Sequence, residues 1–94
     1  MTPHEIEPAA RPNLPRGVRL HEDKLRSRWV LLAPERLLTL NDSALLIVRR
    51  CDGQTSVAAI VAGLVAEFGA DPARVDNDVR ALLASLHEKF MVRL

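Results

Sequence analysis

Aromatic side chains are nearly missing from this sequence: its 94 residues hold one Trp, two Phe and no Tyr. Aliphatic packing must therefore carry any core. Cysteine is down to Cys51, which excludes an internal disulfide and a multi-cysteine zinc site. Gly17, Gly53, Gly63 and Gly69 are scattered, so there is no glycine-rich phosphate loop. No apolar run approaches the ~18 residues of a membrane-spanning helix. A surplus of one charge is missing too. Thirteen Lys and Arg face twelve Asp and Glu, for a net charge of +1. A domain held mainly by phosphate contacts has a pI above ~9. The opening residues carry prolines and acids without an apolar stretch, which predicts no secretory signal. The lone cysteine and the missing signal point to a cytoplasmic setting.

What is present is ordinary for a folded domain. Apolar residues make up 48% and charged residues 27%, which excludes disorder of the whole chain. The length gives one domain. A chain this size hides roughly 60–65% of its unfolded surface, enough for one modest core with little room for a deep active-site cavity. The cations are mostly Arg, the better residue for bidentate recognition of carboxylates.

Residues 1–16 include Pro3, Pro8, Pro12 and Pro15, and read as an extended tail on the surface or disordered. One folded domain is expected over 17–94. Val18-Arg19-Leu20-His21 alternates as a half-buried strand does, giving a strand over about 17–22. Trp29-Val30-Leu31-Leu32 gives a second over about 28–33. Pro34 suits the second position of a turn, and Leu37-Leu38-Thr39-Leu40 gives a third strand over about 36–40. Asn41 caps a helix over about 42–51, stopped by Asp52-Gly53. Ser56 and Gly69 bracket a helix over about 56–68, with Val57, Ile60, Val61, Leu64, Val65 and Phe68 on one stripe. Asp71-Pro72 opens a third over about 72–89, whose buried face is Val75, Val79, Leu82, Leu83, Leu86 and Phe90. The fold class is α+β: a three-stranded antiparallel sheet followed by three helices.

Groups able to do chemistry are scarce. Cys51 lies on an apolar stripe at a helix C-terminus, where the dipole opposes a thiolate. His4, His21 and His87 share no metal-ligand spacing, and His21-Glu22-Asp23 is a poor site on a turn. The expectation is no enzyme, no metal and no cofactor. Binding remains. A free sheet edge offers unpaired N–H and C=O groups to an extended peptide. About four hydrogen bonds at ~1 kcal/mol and an apolar anchor or two at ~1.5–3 kcal/mol, against ~4–15 kcal/mol of association cost, leave an affinity around micromolar. The alternative is a helix-turn-helix reader of DNA, but Asp71, Asp76 and Asp78 sit at the start of its reading helix. A third reading is an adaptor that binds an enzyme without touching peptide.

Pro12-Asn13-Leu14-Pro15 through Val18-Arg19-Leu20, then Trp29-Val30-Leu31-Leu32-Ala33-Pro34-Glu35-Arg36, Leu40-Asn41-Asp42 and Cys51-Asp52-Gly53, together resemble the pyrroloquinoline quinone biosynthesis protein D family. The likeness covers roughly residues 11–94. It implies a small winged-helix-like peptide chaperone that binds the ribosomal precursor peptide of the cofactor and presents it to a radical SAM enzyme, with no nucleic acid or membrane partner. It implies that the peptide adds as a strand to the third strand beside the third helix. Carried onto this sequence, that places Arg36, Leu37, Leu38, Thr39 and Leu40 on one side and Val75, Val79 and Leu82 on the other. Leu38 and Leu40 line the groove in one register, Leu37 and Thr39 in the opposite one. Arg36, Arg74 and Arg80 are expected to meet acidic groups of the peptide, and Leu38→Pro to abolish its binding. A free edge also admits a strand-exchanged homodimer beside the monomer.

Overall fold

A computed structural model describes residues 1–94. Three antiparallel strands come first, β1 (Arg19–Asp23), β2 (Arg28–Ala33) and β3 (Arg36–Leu40), in the order β1-β2-β3. Three helices follow: α1 (Asp42–Val48), α2 (Val57–Phe68) and α3 (Pro72–Glu88). None is long and apolar enough to cross a membrane.

Register builds the sheet's inner face. Leu20 pairs with Leu31 and Leu31 with Leu38, a row of leucines across the strands. Leu31 is completely buried, and Leu20 and Leu38 pack against the same core. The helices supply the other half through Ile47, Val48, Val57, Ile60, Leu64, Val79, Leu83 and Leu86. On the outer face Val30 is buried apart from that core. Its cross-strand neighbours are His21 and Thr39. Beside it Arg28 reaches both Asp23, through Nε at 3.2 Å, and Thr39 Oγ1, through Nη1 at 3.1 Å.

Each helix starts where its cap stands. Asn41 Oδ1 accepts from the Ala44 N–H at 2.8 Å, Ser56 Oγ from Ala59 at 3.1 Å and Asp71 Oδ2 from Arg74 at 3.0 Å. The sequence places two boundaries too generously. β1 begins at Arg19 because Gly17, with φ +88°, closes a turn in which the Val18 N–H donates to the Pro15 carbonyl. α1 ends at Val48 because Arg50 and Cys51 donate to Ile47 and Val48, the tighter pitch of a 3-10 turn.

The proline-rich opening is not a free tail. After a short 3-10 turn over Pro3–Glu5, Ile6 enters the core at 2% exposure, and Pro12 is also buried. Its backbone carbonyls find donors further along the chain. Pro8 accepts from Ala58, Ala10 from Val57 and Pro12 from Gly53. Asn13 and Arg93 exchange both N–H···O bonds, at 2.9 and 2.8 Å. The first two of these bonds satisfy N–H groups that the start of α2 leaves without helical partners. Proline fixed the extended shape, and tertiary contacts fixed its place.

Two aromatic residues also depart from the expected pattern. Phe68 and Phe90 read as core on helical spacing, yet they are 53% and 85% exposed. Phe68 lies in the last turn of α2. Phe90 lies beyond α3, where a backbone reversal at φ +58° takes it off the helical stripe.

Candidate peptide-binding edge and groove

The Pro34-Glu35 loop joins β2 to β3, and Ala33 pairs with Arg36 across it. The pair that closes such a short loop is a hydrogen-bonded pair, and the pattern alternates from there. Arg36, Leu38 and Leu40 therefore bond inward to β2. Leu37 and Thr39 turn their N–H and C=O groups to the outer edge. No other strand pairs with that edge, since β3 ends the sheet order. β1 is the opposite edge, where the same alternation leaves Leu20 and Glu22 facing out.

What separates the two edges is the ground beside them. β3 leads through Asn41 into α1, and a hollow of about 480 Å³ opens between α1, the end of α2 and the first turns of α3. Leu46, Ile47, Leu64, Phe68, Val75 and Val79 line it, with Ser43, Asp71, Arg74 and Asp78 at its polar rim. At the Arg36 end of β3, a second hollow brings Arg36 together with Lys89 and Phe90 from the end of α3. The start of β3 thus meets the end of α3, and the end of β3 leads through α1 to the hollow beside the first turns of α3.

The structure sorts the expected residues into groups. Leu38 and Leu40 face the core side and are half-buried, as are Val75 and Leu82, and all four pack against the core. Val79 is fully buried and forms floor rather than wall. Leu37, 50% exposed, and Thr39 have their side chains on the outer face of the sheet. The structure thus selects the register with Leu38 and Leu40 inward. Leu38 donates within the sheet, so the outward donors belong to Leu37 and Thr39. Arg74 lines the hollow. Arg80 does not. Its Nε bonds Asp76 Oδ1 at 2.9 Å and its Nη1 bonds the Ile6 carbonyl, so it fastens the N-terminal segment. Leu46 and Phe68 are groove residues that helical spacing assigned to core or left unremarked. An aromatic in the last turn before a glycine stop was the available signal for Phe68.

Cys51 is buried, its Sγ 3.4 Å from the Ile47 carbonyl, and burial, with help from Asp52, pushes its thiol up to about 12. It stays protonated near neutral pH. Asp52 is held below the usual carboxylate range by the backbone N–H groups of Gln54 and Thr55, at 2.8 and 2.9 Å, an anchor for the turn before α2. No group of three His, Cys, Asp or Glu side chains is placed to hold a metal ion.

Residues 28–92 match the family described as Coenzyme PQQ synthesis protein D (PqqD). The chain belongs to the PqqD family. It is 49% identical over 85 residues to the PqqA binding protein of Xanthomonas axonopodis pv. citri (strain 306), covering 90% of this chain and 92% of that one. Among solved structures it resembles the PqqD truncation of Methylobacterium extorquens PqqCD, a functional stand-alone recognition element for ribosomally synthesized and post-translationally modified peptides. That match has TM-score 0.83 and 38% identity over all of both chains. PqqD from Xanthomonas campestris matches with TM-score 0.61 and 46% identity over 95% of this chain and 99% of that one. Lasso peptide synthetase B1, solved in complex with the leader peptide, matches with TM-score 0.76 and 28% identity over 90% of this chain and 100% of that one.

Proposed function

We propose that this chain is a peptide-binding chaperone of pyrroloquinoline quinone biosynthesis, working in the cytoplasm without catalytic groups of its own. It takes the PqqA-type precursor peptide as a fourth strand on β3 and presents it to the radical SAM enzyme of the same pathway. The observation that carries the reading is the open edge at Leu37 and Thr39, on a strand that leads into α1, one wall of an apolar hollow shared with α2 and α3. The PqqA-binding name of its relatives and the leader peptide bound by lasso peptide synthetase B1 support it.

The geometry sets the scale of binding. Leu37 and Thr39 each offer one donor and one acceptor, enough for about four hydrogen bonds at ~1 kcal/mol net apiece. An apolar peptide side chain entering the Leu46–Phe68–Val75 hollow adds ~1.5–3 kcal/mol. Association and ordering costs of ~4–15 kcal/mol leave room for an affinity near micromolar. Arg36 at one end and Arg74 at the other suit acidic residues of the peptide.

Calorimetric titration with a synthetic PqqA-type precursor peptide tests this, using wild type and Thr39→Pro. Proline removes an outward N–H at an edge position where the sheet itself needs none. The helical circular-dichroism signal persists and affinity falls about thirtyfold. Unchanged affinity in Thr39→Pro sinks strand addition at β3.

A further inference from the structure

Phe90 occupies an uncomfortable place. It follows α3 with φ +58°, its N–H donating to the His87 carbonyl at 3.1 Å and the Met91 N–H to the Leu86 carbonyl at 2.9 Å. That is the helix-ending turn in which glycine takes the left-handed position, because a Cβ there crowds the following carbonyl. A phenylalanine works against this backbone preference, and no packing within the fold offsets it, since the residue is 85% exposed. The residues that follow, Met91 and Val92, are buried, so the turn itself is firmly held.

The ring stands between two hollows. Arg16, Pro34, Arg36 and Lys89 line one; His87, Val92 and Arg93 line the other; Pro15 borders both. Arg16, Arg36, Lys89 and Arg93 take no part in the ion pairs of the structure, which join Arg26 and Arg28 to Asp23, Arg50 to Glu67 and Arg80 to Asp76. Glu35 is the only carboxylate side chain lining either hollow. An exposed aromatic with a cationic rim is the mirror of an apolar socket with a carboxylate rim.

We propose that Phe90 and its rim of Arg16, Lys89 and Arg93 form a docking knob, separate from the peptide cleft, that seats in an acidic-rimmed apolar socket on the peptide-modifying enzyme. A symmetric pair of knobs does not fit the role, because it would bring cations against cations. The position favours the enzyme: Arg36 opens β3 and shares a hollow with Phe90, so a partner gripping the knob sits at one end of the added strand. The inference rests on the reading that the chain hands its peptide to that enzyme.

The test measures binding of the full chain to the purified radical SAM enzyme and, separately, to the precursor peptide. In Phe90→Gly the cap gains its preferred residue, so the melting temperature is equal or higher. Enzyme affinity falls about tenfold or more, while peptide affinity stays within about twofold. Lys89→Glu combined with Arg93→Glu weakens enzyme binding likewise, and wild-type binding weakens as NaCl rises from about 50 to about 500 mM. Undiminished enzyme affinity in Phe90→Gly overturns the knob. A parallel loss of peptide affinity also overturns it, by placing Phe90 in the peptide cleft. No wild-type association with the enzyme overturns both the knob and the hand-over, while the peptide titration still decides strand addition on its own.

Discussion

Two extended segments of this chain reach opposite ends. The N-terminal segment is rich in proline, the residue least able to pair, yet its carbonyls are used at Pro8, Ala10, Pro12 and Asn13 and its Ile6 is buried. β3 is a regular strand with every donor present, yet Leu37 and Thr39 face outward with nothing in the chain to pair them. Internal partners make the first segment part of the structure. Their absence at the second leaves the edge that we propose takes the peptide. Backbone pairing, more than exposure of side chains, separates the structural strap from the binding edge.

That contrast can be broken from either side. The largest effect is expected at the strap. Ile6→Ala empties a core position and lowers stability by about 2–5 kcal/mol in urea denaturation. Peptide affinity, measured well below the melting point, stays near wild type. On the binding side, a matched pair of prolines sharpens the comparison. Thr39→Pro costs about 2 kcal/mol of peptide affinity, whereas Glu22→Pro on the opposite edge leaves calorimetric affinity unchanged. Arg80→Met removes the tie to the Ile6 carbonyl and the Asp76 pair. Stability drops by about 1 kcal/mol, and amide exchange quickens around Ile6 while the β3 amides keep their wild-type rates.

The effect that is smallest at neutral pH, because it appears only in alkaline solution, belongs to Cys51. The Cys51 thiol is raised from 9.0 to about 12 in the folded chain, chiefly by burial. The folded state therefore keeps a proton that the unfolded chain releases. This contribution is complete below pH 9 and is lost between pH 9 and 12, with a slope of at most ~1.4 kcal/mol per unit. Cys51→Ala removes that slope relative to wild type in thermal melts across the window, and leaves peptide affinity at neutral pH unaltered.

Much of the fold was legible because its signals are local. The caps Asn41, Ser56 and Asp71, the glycine stop at Gly69 and the apolar spacing of α2 and α3 name their elements without tertiary help. The place of the N-terminal segment was not legible, because one isoleucine among prolines and acids carries no period. Arg80 was misassigned for the same reason: its acceptor, the Ile6 carbonyl, lies 74 positions away in sequence. Phe68 and Phe90 fit helical spacing but sit where helices end, and spacing ceases to predict direction there. At the site, the strand was legible and the outward pair was not. The parity of the ladder is fixed by the Pro34-Glu35 loop, so Leu38, the residue first singled out for proline substitution, proves to be bonded inward.

Amide-resolved hydrogen exchange of the chain, with and without the precursor peptide, tests the strand-addition account most directly. It predicts that the Leu37 and Thr39 amides exchange quickly in the free chain and become protected when peptide binds, while Leu20 and Glu22 on the β1 edge stay fast. Protection appearing on β1, or binding that leaves Leu37 and Thr39 unprotected, would contradict it.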